Sequence, residues 1–139
     1  MIMPPIFLPM GALALLTFLV LMIVPLRRFG SVRAGHVGPH DFKFGESAKV
    51  PGLVSIPNRN YMNLLELPIL FYVLCLMLAV SQRADDTFVA LAWGYVALRA
   101  LHSLVHLTVN HILIRLSVFA GSNLVLLAMW VMFFLPLFR

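Results

Sequence analysis

The run MIMPPIFLPM GALALLTFLV LMIVPL, from Met1 to Leu26, carries no ionisable side chain and stops at the pair Arg27-Arg28. A helix that crosses the hydrocarbon layer of a bilayer needs roughly 20 mainly apolar residues, so this run is long enough to span one. It differs from a cleaved secretion signal in having no basic residues ahead of it, no small-residue cleavage pattern and too great a length. It reads as a retained helix. Three further stretches qualify downstream. Asn60 to Gln82 contains only Glu66 as a charged residue, Thr87 to Val109 carries Arg99, His102 and His106, and Leu116 to Phe138 is uncharged before Arg139. Helices are therefore expected over about 5–28, 58–81, 86–109 and 114–137 of a single domain covering 1–139.

Composition leads to the same class. Of 139 residues, 62% are apolar and 11% charged, and the mean hydropathy is +0.99. Soluble domains are about half apolar and a quarter charged, and a chain this short buries the least of its surface. A soluble enzyme, a disordered tail and a disulfide scaffold are excluded; the single Cys75 offers no intrachain disulfide. The net charge of +5 comes from few basic residues that form no basic–aromatic face, so no nucleic-acid partner is expected. The expected partner is the lipid bilayer.

The links set the topology. Residues 29–57 hold Gly30, Gly35, Gly38, Gly45 and Gly52 with Pro39, Pro51 and Pro57, the composition of a loop. Ser81 to Asp86 is a polar turn after which Asp86 or Thr87 can cap the third helix. Asn110-His111 is the only polar break before the fourth. Short connections make antiparallel neighbours, giving an all-α, up-down four-helix membrane bundle. Arg27, Arg28, Arg33, Lys43, Lys49 and Arg59 flank or fill the first loop, Arg83 stands beside Asp85 and Asp86 in the second, and Arg115 follows the third. By the positive-inside rule the first and third loops are cytoplasmic and both termini are not; Arg139 counts against this.

Ionisable residues within spans are costly and usually face the bundle interior or mark a site. Arg59, Asn63 and Glu66 stand at i, i+4 and i+7; Tyr95, Arg99, His102 and His106 stand at i, i+4, i+7 and i+11. Two such stripes are expected to meet. Glu66 and Arg99 can pair, either as a clip between helices or within a site. Asn63 reads equally as interhelical glue. The i, i+4 spacing of His102 and His106 suits a metal, but no Cys or carboxylate accompanies them on that helix and no metal is expected. Arg27 and Arg28 read as topology anchors before ligand contacts. Pro68 is expected to kink the second helix and free a carbonyl.

The segment Arg59-Asn-Tyr-Met-Asn63-Leu-Leu-Glu66 resembles the second-helix signature of the MAPEG family, the membrane-associated proteins of eicosanoid and glutathione metabolism. Leu98-Arg-Ala-Leu-His102-Ser-Leu-Val-His106, followed by Arg115, is similar to its second signature block. The resemblance covers about residues 55–135 and is to a bacterial-type member, which implies the bacterial inner membrane. It further implies a homotrimer with glutathione held between adjacent subunits toward the cytoplasm. Asn63 and Glu66 match positions that hold the tripeptide's polar groups, and His102 matches a ligand-contacting position. Arg115 matches the arginine that stabilises the thiolate. Arg28, or Arg27, matches a first-helix arginine, and Arg59, Arg99 and His106 complete the expected binding set. His106 stands where several members have a ligand-contacting tyrosine, and Met62 where many have a second arginine.

The chemistry suits this expectation. A guanidinium can fork a carboxylate of glutathione, Glu66 can receive its ammonium, and an arginine near the thiol favours the reactive thiolate. The expected function is glutathione conjugation or peroxide reduction on a lipophilic substrate arriving from the bilayer. The alternatives are a non-catalytic membrane scaffold and a small transport protein lined by Arg99, His102 and His106; the chain is small for a transporter and has no inverted repeat.

Overall fold

The chain's computed structural model describes residues 3–138; Met1, Ile2 and Arg139 lie outside the described residues. The expected all-α architecture is observed. Helix α1 covers Phe7–Arg33, α2 Gly52–Leu65, α3 Pro68–Val80, α4 Asp86–Leu107 and α5 Ile112–Phe134. Helices α2 and α3 together form one span, Gly52–Val80, so the five helices make four segments long and apolar enough to cross a membrane.

Helix boundaries depart from the sequence reading at the first loop. Helix α1 runs on to Arg33 instead of ending near residue 28, and α2 begins at Gly52 instead of 58, so the loop covers 34–51. Charged residues mark where a chain leaves the hydrocarbon, not where its backbone stops being helical. Arginines at a helix end extend their heads to water while the helix continues. Helix α1 ends where Gly35 takes the left-handed conformation, φ +73°. Pro57 lies inside α2; it removes one backbone donor without ending the helix.

The expected break at Pro68 is present. Helix α2 stops at Leu65, Glu66 leaves helical geometry with φ −82° and ψ −100°, and Pro68 opens α3, a position where its missing N–H costs nothing. Helix α4 is capped by Asp85, one residue earlier than expected, through the Phe88 N–H donating to Asp85 Oδ1 at 2.9 Å.

Helix α4 lies centrally, in contact with α1, α2 and α5. The core gathers Leu13 and Val20 of α1, Leu64 of α2, Phe71, Leu74 and Leu78 of α3, Ala92 and Tyr95 of α4, and Leu126 and Met129 of α5. The Phe71 and Tyr95 rings stack at 4.6 Å. Large apolar side chains such as Leu8, Phe18, Leu104, Leu116 and Leu124 point outward, the surface a bilayer covers. A small second cluster of Val37, Val50 and Val54 under Phe42 shapes the first loop.

Candidate functional site

The α4 stripe forms as expected. Tyr95 and Arg99 are fully buried, and His102 and His106 are 4% and 7% exposed. Its principal contact is with α2. The Arg99 Nη2 group donates to both the backbone oxygen and Oδ1 of Asn63, each at 2.7 Å. The backbone acceptor exists because of the Glu66–Leu67 break, which takes the Leu67 N–H out of the helical ladder and leaves the Asn63 carbonyl open. Arg99 also lies 5.5 Å from the Phe119 ring centroid. Its Nε and Nη1 find no acceptor among the described residues.

The expected Glu66–Arg99 pair is not formed. Its premise was that α2 stays helical through Glu66; the helix ends one residue earlier, and the carboxylate turns to the exposed surface of the chain. Asn63 takes the place expected of Glu66. Beside it, Ser103 Oγ donates to Oδ1 of the fully buried Asn60 at 3.2 Å. Neither residue is among the expected site residues. Asn60 follows Arg59 and Ser103 follows His102, so widening each polar stripe by one position finds both.

Where these stripes approach the α4–α5 turn they leave a cleft of about 270 Å³, lined by Arg59, Asn63, His102, His106, Ile112, Arg115, Leu116 and Phe119. Of the eight expected site residues, the structure brings five to this wall: Arg59 and, one turn on, Asn63 from α2, His102 and His106 from α4, and Arg115 from the first turn of α5. Arg99 is packed behind the wall, Glu66 faces outward, and Arg28 is elsewhere. The Arg28 guanidinium donates to Glu46 Oε1 at 3.0 Å and lies 5.1 Å over Phe42, so within one chain it organises the first loop.

The cleft is lined by two cations from different helices, Arg59 of α2 and Arg115 of α5, with apolar residues of α5 around the latter. Arg59 and Arg115 line it and no carboxylate does, while Ile112 and Leu116 are also exposed on the outer face of α5. The His102 ring sits 5.6 Å from His106 and 5.7 Å from Phe119. The buried Nδ1 atoms of both histidines have no hydrogen-bond partner among the described residues. Arg115 is half-buried and fixed by Nη1 donating to Asn110 Oδ1 at 2.7 Å. Two guanidinium groups without a lining carboxylate favour an anionic ligand, and Ile112, Leu116 and Phe119 supply apolar wall.

A four-span bundle with a cationic cleft at one end defines an integral, multi-pass membrane protein that associates with the bilayer through its outer surface. The chain belongs to the MAPEG family, whose model matches residues 6–135. The family contains glutathione transferases and peroxidases as well as non-enzymatic members. No significant match is found among curated proteins or solved structures.

Proposed function

We propose that the chain is a membrane-bound, glutathione-dependent transferase or peroxidase acting on lipophilic electrophiles, with Arg115 stabilising the thiolate. The observation that carries this reading is the convergence of Arg59, Asn63, His102, His106 and Arg115 on one cleft whose remaining wall, Ile112, Leu116 and Phe119, is apolar. Glutathione brings two carboxylates, an ammonium and a thiol. Arg59 forks a carboxylate, and the Asn63 amide group donates to the tripeptide while its oxygen stays on Arg99. Arg115 sits among Ile112, Leu116 and Phe119, where low polarity strengthens its attraction for a thiolate relative to a water-exposed arginine. In conjugation the sulfur forms a bond to the electrophilic carbon, and the leaving group departs with its bonding electrons. In peroxide reduction the sulfur bonds to the terminal oxygen of the hydroperoxide as the O–O bond breaks, giving a sulfenic acid and an alkoxide that takes up a proton. A second glutathione thiol then attacks the oxidised sulfur, the S–O bond breaks, water leaves and a disulfide forms.

The cleft, of about 270 Å³, sits at the small end of ligand pockets. In this reading one chain supplies part of the wall and a homotrimer supplies the rest from a neighbouring copy, including Glu66 or Arg28. The first and third loops face the cytoplasm and the termini do not, the membrane being the bacterial inner one; a cytoplasm-dependent reporter fused after residue 138 stays inactive, and activity there reverses the orientation.

A non-catalytic scaffold is the second reading, and the two hydrogen bonds from Arg99 to Asn63 favour it by giving Asn63 a structural use. Glutathione titration of the detergent-solubilised protein decides between them. A ligand at about 100 times its Kd adds about 2.7 kcal/mol to stability, seen as a rise in Tm. Ultraviolet titration of the bound thiolate then compares wild type with Arg115→Ala. Absent thermal protection removes the reading, and an unchanged thiol titration in Arg115→Ala removes Arg115 as activator.

A further inference from the structure

An arginine that opens a helix at the membrane surface is drawn toward water, because its long stem lets the charged head reach the aqueous side. Arg115 is in that position, yet it is half-buried and lines the cleft. What restrains it is Asn110. The Asn110 Oδ1 accepts from Arg115 Nη1 at 2.7 Å, which leaves the rest of the guanidinium fork able to face a ligand. The backbone at Asn110 is left-handed, φ +46°, and its N–H closes the end of α4 by donating to the Val105 carbonyl at 2.7 Å. Glycine serves a left-handed helix end with least strain. The turn alone is met by glycine as well as by asparagine; what asparagine adds is the oxygen that Arg115 donates to.

We propose that Asn110 is a positioning residue that holds the Arg115 guanidinium over the cleft, so that the α4–α5 turn and the orientation of the thiolate-stabilising group are set by one side chain. The proposal rests on the glutathione reading above and deepens it. Charged and titratable groups facing the same space are Arg59 from α2, His102 and His106 from α4, and Arg115 from α5. Only Arg115 is tied to the turn.

Asn110→Gly isolates the role, since it keeps the turn and its N–H and removes only the amide oxygen. The readouts are the Tm of the solubilised protein, glutathione binding, and the pH dependence of bound-thiolate absorbance, each beside wild type and Arg115→Ala. In Asn110→Gly, the Tm and glutathione binding are expected to persist. Thiolate formation moves to higher pH, as in Arg115→Ala, leaving roughly tenfold less thiolate near neutrality and a deficit that vanishes at high pH. Asn110→Ala also removes the amide oxygen, at the cost of a left-handed alanine. It is expected to bind glutathione and to show the same displacement, and it carries the test if the glycine variant does not fold. If Asn110→Gly, or Asn110→Ala in its place, titrates like wild type while Arg115→Ala does not, Asn110 is only a turn residue and the glutathione reading stands. If Arg115→Ala also titrates like wild type, Arg115 is not the activator and the role of Asn110 falls with it, while absent thermal protection by glutathione overturns the reading on which both rest.

Discussion

Arg83 ties the second loop to the end of the last span by way of Phe133. Its Nη1 donates to the Phe133 carbonyl at 2.9 Å, and its guanidinium lies 4.7 Å over the Phe133 ring. The sequence presents Arg83 only as one basic residue in a mixed-charge turn. In the structure it satisfies a carbonyl near the C-terminus of α5, where helical donors run out, at the end of the bundle opposite the cleft.

Arg83→Ala is expected to cost about 1–2 kcal/mol of stability, from a charged hydrogen bond and a partly exposed cation–π contact. Equilibrium unfolding in detergent measures it. Arg83→Lys recovers only part of the loss, because an ammonium cannot both reach the carbonyl and stack on the ring. Equal stability of all three proteins means the contact carries no weight.

Asn63→Leu is expected to destabilise the bundle by about 2 kcal/mol, the cost of leaving a buried charged donor short of an acceptor. Substituting Arg99 by Met as well removes the orphaned charge, so the double variant is more stable than Asn63→Leu alone. Additive losses in this cycle mean that the two side chains do not depend on each other.

Glu66 is exposed on the single chain within a membrane span, and a lone carboxylate in lipid costs about 2.5–3.5 kcal/mol on insertion scales. A neighbouring copy is expected to cover it. A cysteine placed at 66 resists a lipid-soluble label more than one placed at Leu116, and the purified protein has the mass of three chains. Equal labelling and a monomeric mass remove the trimer.

The first loop is expected to loosen in acid. The Gly38 N–H donates to Asp41 Oδ2 at 2.9 Å and Ser47 Oγ to Oδ1 at 2.8 Å. The Gly38 bond first and the Ser47 bond second hold this carboxyl below the usual carboxylate range. Because the folded value is the lower one, this contribution is complete above the ordinary carboxylate range and is lost as pH falls through the folded value. Hydrogen exchange over residues 38–47 is expected to speed up in that window in wild type and to change little with pH in Asp41→Asn.

The parts of the site legible in the sequence were those carried by unbroken helix. Tyr95, Arg99, His102 and His106 obey one periodicity along α4, and all four are buried together. Arg59 and Asn63 were legible for the same reason. Glu66 was not, because its expected direction assumed seven residues of uninterrupted helix from Arg59, and the backbone breaks at the seventh. Arg28 was placed by resemblance to a site assembled from several chains, and in one chain Glu46 holds it. Asn110 was visible only as a polar break; its left-handed backbone and its reach to Arg115 arise from the turn and have no periodic signature.

The shortness of the α4–α5 link has a consequence for biosynthesis. Helix α4 reaches the insertion machinery with Arg99 in its middle, a residue that costs about 2.5–3.5 kcal/mol at a helix centre, against gains of about 0.3–0.6 kcal/mol for each Leu, Ile, Val or Phe. Only residues 108–111 separate it from α5, whose single charge, Arg115, stands in its first turn. The two helices are therefore expected to enter the membrane as one hairpin, with the oily second arm compensating for the polar first. A chain truncated after residue 108 is expected to leave α4 incompletely inserted, with the Ser81–Asp85 turn accessible from the wrong side, while the full chain protects it. On that view the apolar length of α5 is what lets α4 carry its buried polar row into the bilayer.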